Sequence, residues 1–207
     1  MKRLPLLLVA LLSGCASLIA PPGHEDVFLL PATPAPTQAA IAPPPALPWS
    51  LTLTTPSASG PLASRALLVS PQPDQVQVYA GARWAEPPPT LLRQRLVAAF
   101  AADGRVPRVV PDSVGALTRY TLSSDLDDFR VLVSGGQARV RVMLTVRLLD
   151  NPTRQLLAQR SFTIEEPAAG RNAPQVVAAF GAACNRLAPQ VVDWTIASAG
   201  APAPVAH

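Results

Sequence analysis

The chain has 207 residues, of which 49% are hydrophobic, 5% aromatic and 14% charged. That excludes a disordered chain, which needs low hydrophobicity and high net charge, and the length fits one ordinary domain with a sizeable core. Seventeen basic residues against 13 acidic ones give a formal net charge of +4. The arginines are scattered rather than gathered in a run, which argues against nucleic-acid binding. Lys2 is the only lysine, so the body of the chain has no lysine for a Schiff base or a phosphate loop.

Met1-Lys2-Arg3 is a short positive start. The apolar stretch Leu4 to Leu12, broken once by Pro5, is too short to span a bilayer and reads as the apolar region of a secretory signal. Leu12-Ser13-Gly14-Cys15 resembles the bacterial lipoprotein signal, the lipobox. That resemblance implies a signal peptide over residues 1–14, with Cys15 acylated and made the first residue of the mature chain. The thiol carries the diacylglycerol, and small residues before it let the peptidase approach the backbone. Several acyl chains anchor firmly where one is marginal. Ala16 rather than Asp follows Cys15, and resemblance to enterobacterial sorting then favours the outer membrane, with the protein facing the periplasm. Cys184 is the only other cysteine, so a lipidated Cys15 leaves no intramolecular disulfide.

Sixteen of the 25 prolines lie between Pro21 and Pro89. Residues 15–50 read as a lipidated Cys followed by a Pro/Ala-rich tether in extended conformations. About 30 such residues would reach roughly 90 Å. Val27-Phe28-Leu29-Leu30 interrupts the tether as a candidate first strand that docks back onto the domain.

The folded domain is expected over residues 51–197, with a disordered tail over 198–207. Leu51 to Thr54 alternates like a strand. Ala66 to Val69, a turn at Pro71-Gln72-Pro73-Asp74, and Val76 to Tyr79 make a hairpin. Pro87-Pro88-Pro89-Thr90 opens a helix that Asp103-Gly104 stops, and a short strand over Val106 to Val110 follows. Tyr120 to Val133, the alternating run Ala138 to Leu148, and Leu156 to Ile164 form an antiparallel meander with turns at Ser134-Gly135-Gly136 and Asp150-Asn151-Pro152-Thr153. Val177, Phe180, Cys184, Leu187, Val191 and Trp194 share one face of a last helix over Pro174 to Ala197. The class is α+β: a mixed, largely antiparallel sheet of about six strands with two main helices packed on it.

No residue pattern speaks for catalysis. His24 and His207 lie outside the folded region and have no partner at metal spacing, so no metal or cofactor is expected. Asp125, Asp127 and Asp128 lack the glycine and glutamate of a calcium loop and read as a solvated strand or bulge. The nucleophile-elbow, dinucleotide and zinc-helix motifs are missing from the sequence. Cys184 reads as a small core residue. Arg139, Arg141 and Arg147 share one strand face. A solvated outer face is the default reading, and a contact with anionic lipid headgroups or a partner is the other.

Tyr79-Ala80-Gly81-Ala82-Arg83-Trp84-Ala85-Glu86-Pro87-Pro88 places aromatic, arginine and proline residues directly before a helix. It reads either as a hairpin exit with Trp84 packed under the helix start, or as an interaction surface formed by Tyr79, Arg83, Trp84, Glu86 and Pro87. Val78-Tyr79, Arg83 to Pro87 and Leu91-Leu92 resemble the signature of the ABC-type transport auxiliary lipoprotein family, which includes the paraquat-inducible intermembrane-transport lipoproteins. Tyr120 to Phe129, Leu156 to Phe162 and Phe28 to Pro31 extend the resemblance over nearly all of the mature chain. The Pro-rich stretch Pro31 to Pro48 departs from the pattern as an insertion.

The resemblance implies a non-enzymatic, outer-membrane-anchored periplasmic accessory subunit. Its partner would be the mammalian-cell-entry-type substrate-binding protein of an ABC transport system that moves phospholipids or related hydrophobic molecules between membranes. A periplasmic carrier that itself binds lipid, and a structural envelope lipoprotein, are the alternatives. The oligomeric state, including a homo-oligomer, is left open.

Overall fold

Residues 25–32 and 45–200 are described by the computed structural model. The expected signal peptide, Cys15, Ala16, both histidines, part of the Pro-rich segment and the residues after Gly200 lie outside the described residues. The elements run β1 (Asp26–Phe28), β2 (Ser50–Leu53), β3 (Ala66–Gln72), β4 (Gln75–Trp84), α1 (Pro88–Asp103), β5 (Arg108–Pro111), β6 (Tyr120–Ser134), β7 (Gln137–Asp150), β8 (Gln155–Pro167) and α2 (Ala173–Ala199).

Period-two alternation builds the centre. Val140, Val142, Leu144, Val146 and Leu148 of β7 all point inward with no exposed surface, while the odd-numbered residues between them face out. One such face, buried against helices, fixes the register of the whole meander. β6 and β7 turn at Gly135-Gly136, both at positive φ (56° and 78°), the conformation a tight primed hairpin requires. The single irregularity between them is a bulge at Asp127, so the acidic cluster is the strand bulge its spacing suggested.

The eight strands form one mixed sheet, two more than the six or so expected. The long ladders β6–β7 and β7–β8 are antiparallel, and so is the β3–β4 hairpin. Four short pairings are parallel: β1–β4, β2–β5, β2–β6 and β3–β6. β6 is long enough to take β2 along its first half and β3 along its second, which joins the two ends of the sheet.

β1 belongs to the sheet. Asp26, Val27 and Phe28 pair with Ala82, Arg83 and Trp84, and the Ala85 N–H donates to the Phe28 carbonyl (2.7 Å). The stretch 15–50 is therefore not one uninterrupted tether, since the chain is fastened midway. After β1, Pro31 lies on α2 where Gly181 has no side chain; a Cβ there would meet Pro31 at 3.0 Å. Arg95 of α1 donates to the Pro31 carbonyl and to Asn185 of α2, tying three elements together.

Both helices start on prolines. Pro88 and Pro89 fill the first turn of α1, where their missing N–H groups leave no bond unmade. Gly104 ends α1 in the left-handed region (φ 75°). α2 is capped by Asn172, whose side-chain oxygen accepts from the Gln175 N–H (3.0 Å). Its buried face includes Val177, Phe180, Cys184, Leu187 and Val191 and lies on β7 and β8.

Candidate interaction surface

A bulge shapes the end of the β3–β4 hairpin. Ala66 pairs with Arg83 and Leu68 with Val78, so Tyr79 to Ala82 of β4 stand against Leu67 alone. Gly81, at φ 69°, supplies the backbone turn that this needs. The bulge separates the expected surface residues. At its start, Tyr79 is half-buried and its hydroxyl donates to the Arg171 carbonyl in the loop before α2. Downstream, Arg83 forms an ion pair with Glu25 (2.9 Å) ahead of β1, and Glu86 pairs with Arg65 (3.5 Å). The Pro87 carbonyl accepts from the Thr90 N–H (2.9 Å) and starts α1.

Trp84 is not on this surface. It has no exposed area and sits edge-on to Phe129 (5.6 Å, 64°) and Phe180 (5.3 Å, 82°), which stack on each other at 4.4 Å. The correction has a plain cause: alternation from the half-buried Arg83 turns the indole toward the helices, where it joins β4, β6 and α2. The hairpin-exit reading describes Trp84, and only Tyr79, Arg83, Glu86 and Pro87 remain accessible.

The accessible surface includes residues that the sequence reading passed over. Val76 and Val78 are 45% and 60% exposed. On the helix side of the hairpin, Val69, Tyr79, Val133, Ala138, Arg171 and Val176 line an apolar cleft of about 290 Å³. Helix α2 begins too late to cover this end of the sheet. The alternation Val76-Gln77-Val78-Tyr79 signalled a strand, but nothing in it signalled that the strand outruns its helix. Leu117, fully exposed, and Val114, 60% exposed, form a second apolar tip in the loop before β6.

The opposite face of the sheet is polar and laced by ion pairs. Glu165 of β8 accepts from Arg139 (3.0 Å) and Arg141 (2.9 Å), and these two arginines hold its carboxyl below the ordinary range. Arg147 pairs with Asp125 at 2.6 Å. Asp128 is buried and accepts from Arg130 (3.0 Å). Burial raises its pKa, against the pull of Arg130 and Arg141. Cys184, fully buried, has its thiol pushed up to about 12 by desolvation, which is the signature of a core residue rather than a nucleophile.

The sequence profile of the ABC-type transport auxiliary lipoprotein component matches residues 28–192, from β1 into α2. The chain belongs to that family. The match takes in the sheet from Phe28 at the end of β1 through β8, the bulged hairpin included. This auxiliary lipoprotein is also similar to protein XCC0632 of Xanthomonas campestris, a DUF330 family protein. Its crystal structure superimposes with a TM-score of 0.74 at 27% identity, over 84% of this chain and 97% of that one. A second crystal structure, of an uncharacterized protein, has the same fold (TM-score 0.63, 17% identity, 83% of this chain and 98% of that one). The uncharacterized protein bll6063 of Bradyrhizobium diazoefficiens is 29% identical over 152 residues, 71% of this chain. The chain spans about two fifths of that relative's length (39%). The family is defined by transport and lipidation rather than by a catalytic activity. Among the described residues of this auxiliary lipoprotein, no helix is long and apolar enough to cross a membrane.

Proposed function

We propose that this auxiliary lipoprotein is a non-enzymatic accessory subunit of an ABC-type intermembrane lipid transport system. It is anchored in the outer membrane through lipid on Cys15, faces the periplasm, and docks the mammalian-cell-entry-type periplasmic component. The family match over residues 28–192 carries the reading. The Leu12-Ser13-Gly14-Cys15 box ahead of it supports the anchor.

The docking face is the β3–β4 hairpin. There Val76 and Val78 are exposed, and Tyr79 and Arg171 frame the apolar cleft. Aromatic and arginine side chains around an apolar centre suit a protein partner. A carrier that encloses a lipid would need space between sheet and helices, and that layer is filled by Trp84, Phe129, Phe180 and Leu144.

A photo-crosslinking residue placed at Val78 in cells, followed by mass spectrometry, tests the docking. Recovery of a mammalian-cell-entry-type protein from Val78, and not from Gln159 on β8 at the other edge of the sheet, is the expected result. Recovery of no transporter component would overturn it. Cys15→Ala is expected to release the protein from the membrane fraction. A variant that stays membrane-bound would sink the anchor.

A further inference from the structure

On the outer face of the meander, two clefts of about 280 and 410 Å³ adjoin at Leu132, Ser134 and Arg141. The first is also lined by Ser70, Pro73, Arg130 and Val133, and the second by Arg139 and Glu165. Their chemistry is unbalanced in three respects.

Arg130 and Arg141 are direct cross-strand partners, on the same face of the sheet. Like charges placed directly opposite each other destabilise a sheet. Three guanidinium groups, Arg130, Arg139 and Arg141, share two carboxylates. Glu165 serves Arg139 and Arg141, while Asp128 accepts from Arg130 and lies 3.9 Å from Arg141. One positive charge is left over. Arg130 bonds Asp128 through Nε alone, so its two outer nitrogens have no partner among the described residues.

Ser70 supplies an independent observation. It is 3% exposed, and its Oγ has no hydrogen-bond partner among the described residues. β3 pairs with β6 so that Ser70 stands beside Leu132, and Leu132 stands beside Arg139. A buried hydroxyl without a partner is costly in a structure built only for stability. At the wall of a cleft with an excess of guanidinium it is a donor waiting for an anion. Planar arginine forks match a tetrahedral oxyanion, and Leu132 and Pro73 add an apolar wall beside them.

We propose that this cleft binds the phosphoryl group of a phosphate ester. Ser70, Arg130 and Arg141 donate to its oxygens, and Leu132 and Pro73 pack against the ester's carbon chain. The inference does not depend on the transport reading, because it uses neither the anchor nor the cleft framed by Tyr79 and Arg171; from the hairpin it takes only Ser70 and Pro73. The ester is either a lipid headgroup or a small free phosphate ester.

The test is calorimetric titration of the full lipoprotein in maltoside micelles. The probes are glycerol 3-phosphate, phosphatidylglycerol mixed into the micelles, and diacylglycerol as the uncharged control. Saturable binding of at least one phosphate probe, and none of diacylglycerol, is expected. Phosphatidylglycerol at least tenfold tighter than glycerol 3-phosphate identifies the lipid source, and comparable or weaker binding identifies the free ester. Arg130→Gln is expected to weaken binding at least tenfold, and Arg147→Gln, on the same face beyond the cleft, to leave it unchanged. Since Arg130→Gln deprives buried Asp128 of its partner, Ser70→Ala is the second variant. It removes only the unpaired hydroxyl, so it should melt no lower than the wild type yet bind about threefold to tenfold more weakly. Saturable binding of neither phosphate probe would overturn the proposal. So would wild-type affinity in both Ser70→Ala and Arg130→Gln.

Discussion

Trp84 touches Phe129 and Phe180 edge-on, and those rings stack on each other. Truncating the indole would open a cavity that neither phenylalanine can fill. Trp84→Ala is therefore expected to cost about 3–5 kcal/mol, read as a lower midpoint in denaturant; an unchanged midpoint would contradict a core role. Cys184 obeys the same logic of burial. In a Cys15→Ser chain its thiol should resist modification in the native state near pH 8 and react fully once unfolded. Asp103 shows the opposite effect at the surface. The Arg105 side chain donates to it and lowers its carboxyl pKa. A depressed pKa contributes stability in full above the ordinary carboxylate range, and that contribution is lost as pH falls through the lowered value. Asp103→Asn should accordingly melt below the wild type at about pH 6, with the gap closing below about pH 3. A gap that is constant with pH would remove the charge from the explanation.

At the scale of elements, β1 is three residues long and could not hold itself in place. Its fastening comes from the ladder to β4, from Pro31 seated on Gly181, and from Arg95 bonded to the Pro31 carbonyl. A side chain at Gly181 would collide with Pro31. Gly181→Val should raise hydrogen exchange at the Ala85 N–H, which donates to Phe28, while β7 stays protected; equal loss in both would mean that α2 itself had been damaged. This element also marks how far the sequence could be read. The meander and α2 carry strict periods of two and of three to four residues, so their ranges came close to the observed ones. The pairing of β1 with β4 has no periodic signal, only a four-residue apolar patch. The bulge over Tyr79 to Ala82 is equally silent, because it depends on Gly81 adopting φ 69° opposite Leu67. For the same reason the aromatic and arginine stretch looked like one surface, when the bulge puts Tyr79 outside and Trp84 within. The arginine face was visible in the alternation of β7. Ser70 was not, because only the pairing of β3 with β6 brings it beside that face.

For the whole molecule, the sheet has two different sides. One is sealed by helices except at the hairpin cleft, and the other is open and charged. The fastening of β1 also sets how far the fold stands from a lipid on Cys15. Only Cys15 to Glu25, 11 residues, precede it, a reach of at most about 40 Å at roughly 3.3–3.6 Å per residue. The Pro-rich residues 33–44 join β1 to β2 and add nothing to that height. Deleting them should leave crosslinking between the hairpin and its partner unchanged, whereas removing half of residues 16–24 should abolish it. The reverse would place the leash after β1. A fold confined to a hemisphere of about 40 Å radius meets whatever reaches the same patch of membrane at a local concentration on the order of 10 mM. A 90 Å leash would dilute it to about a tenth of that. Three residues of parallel strand thus do what a weak docking surface cannot do alone: they keep the encounter frequent without making it tight.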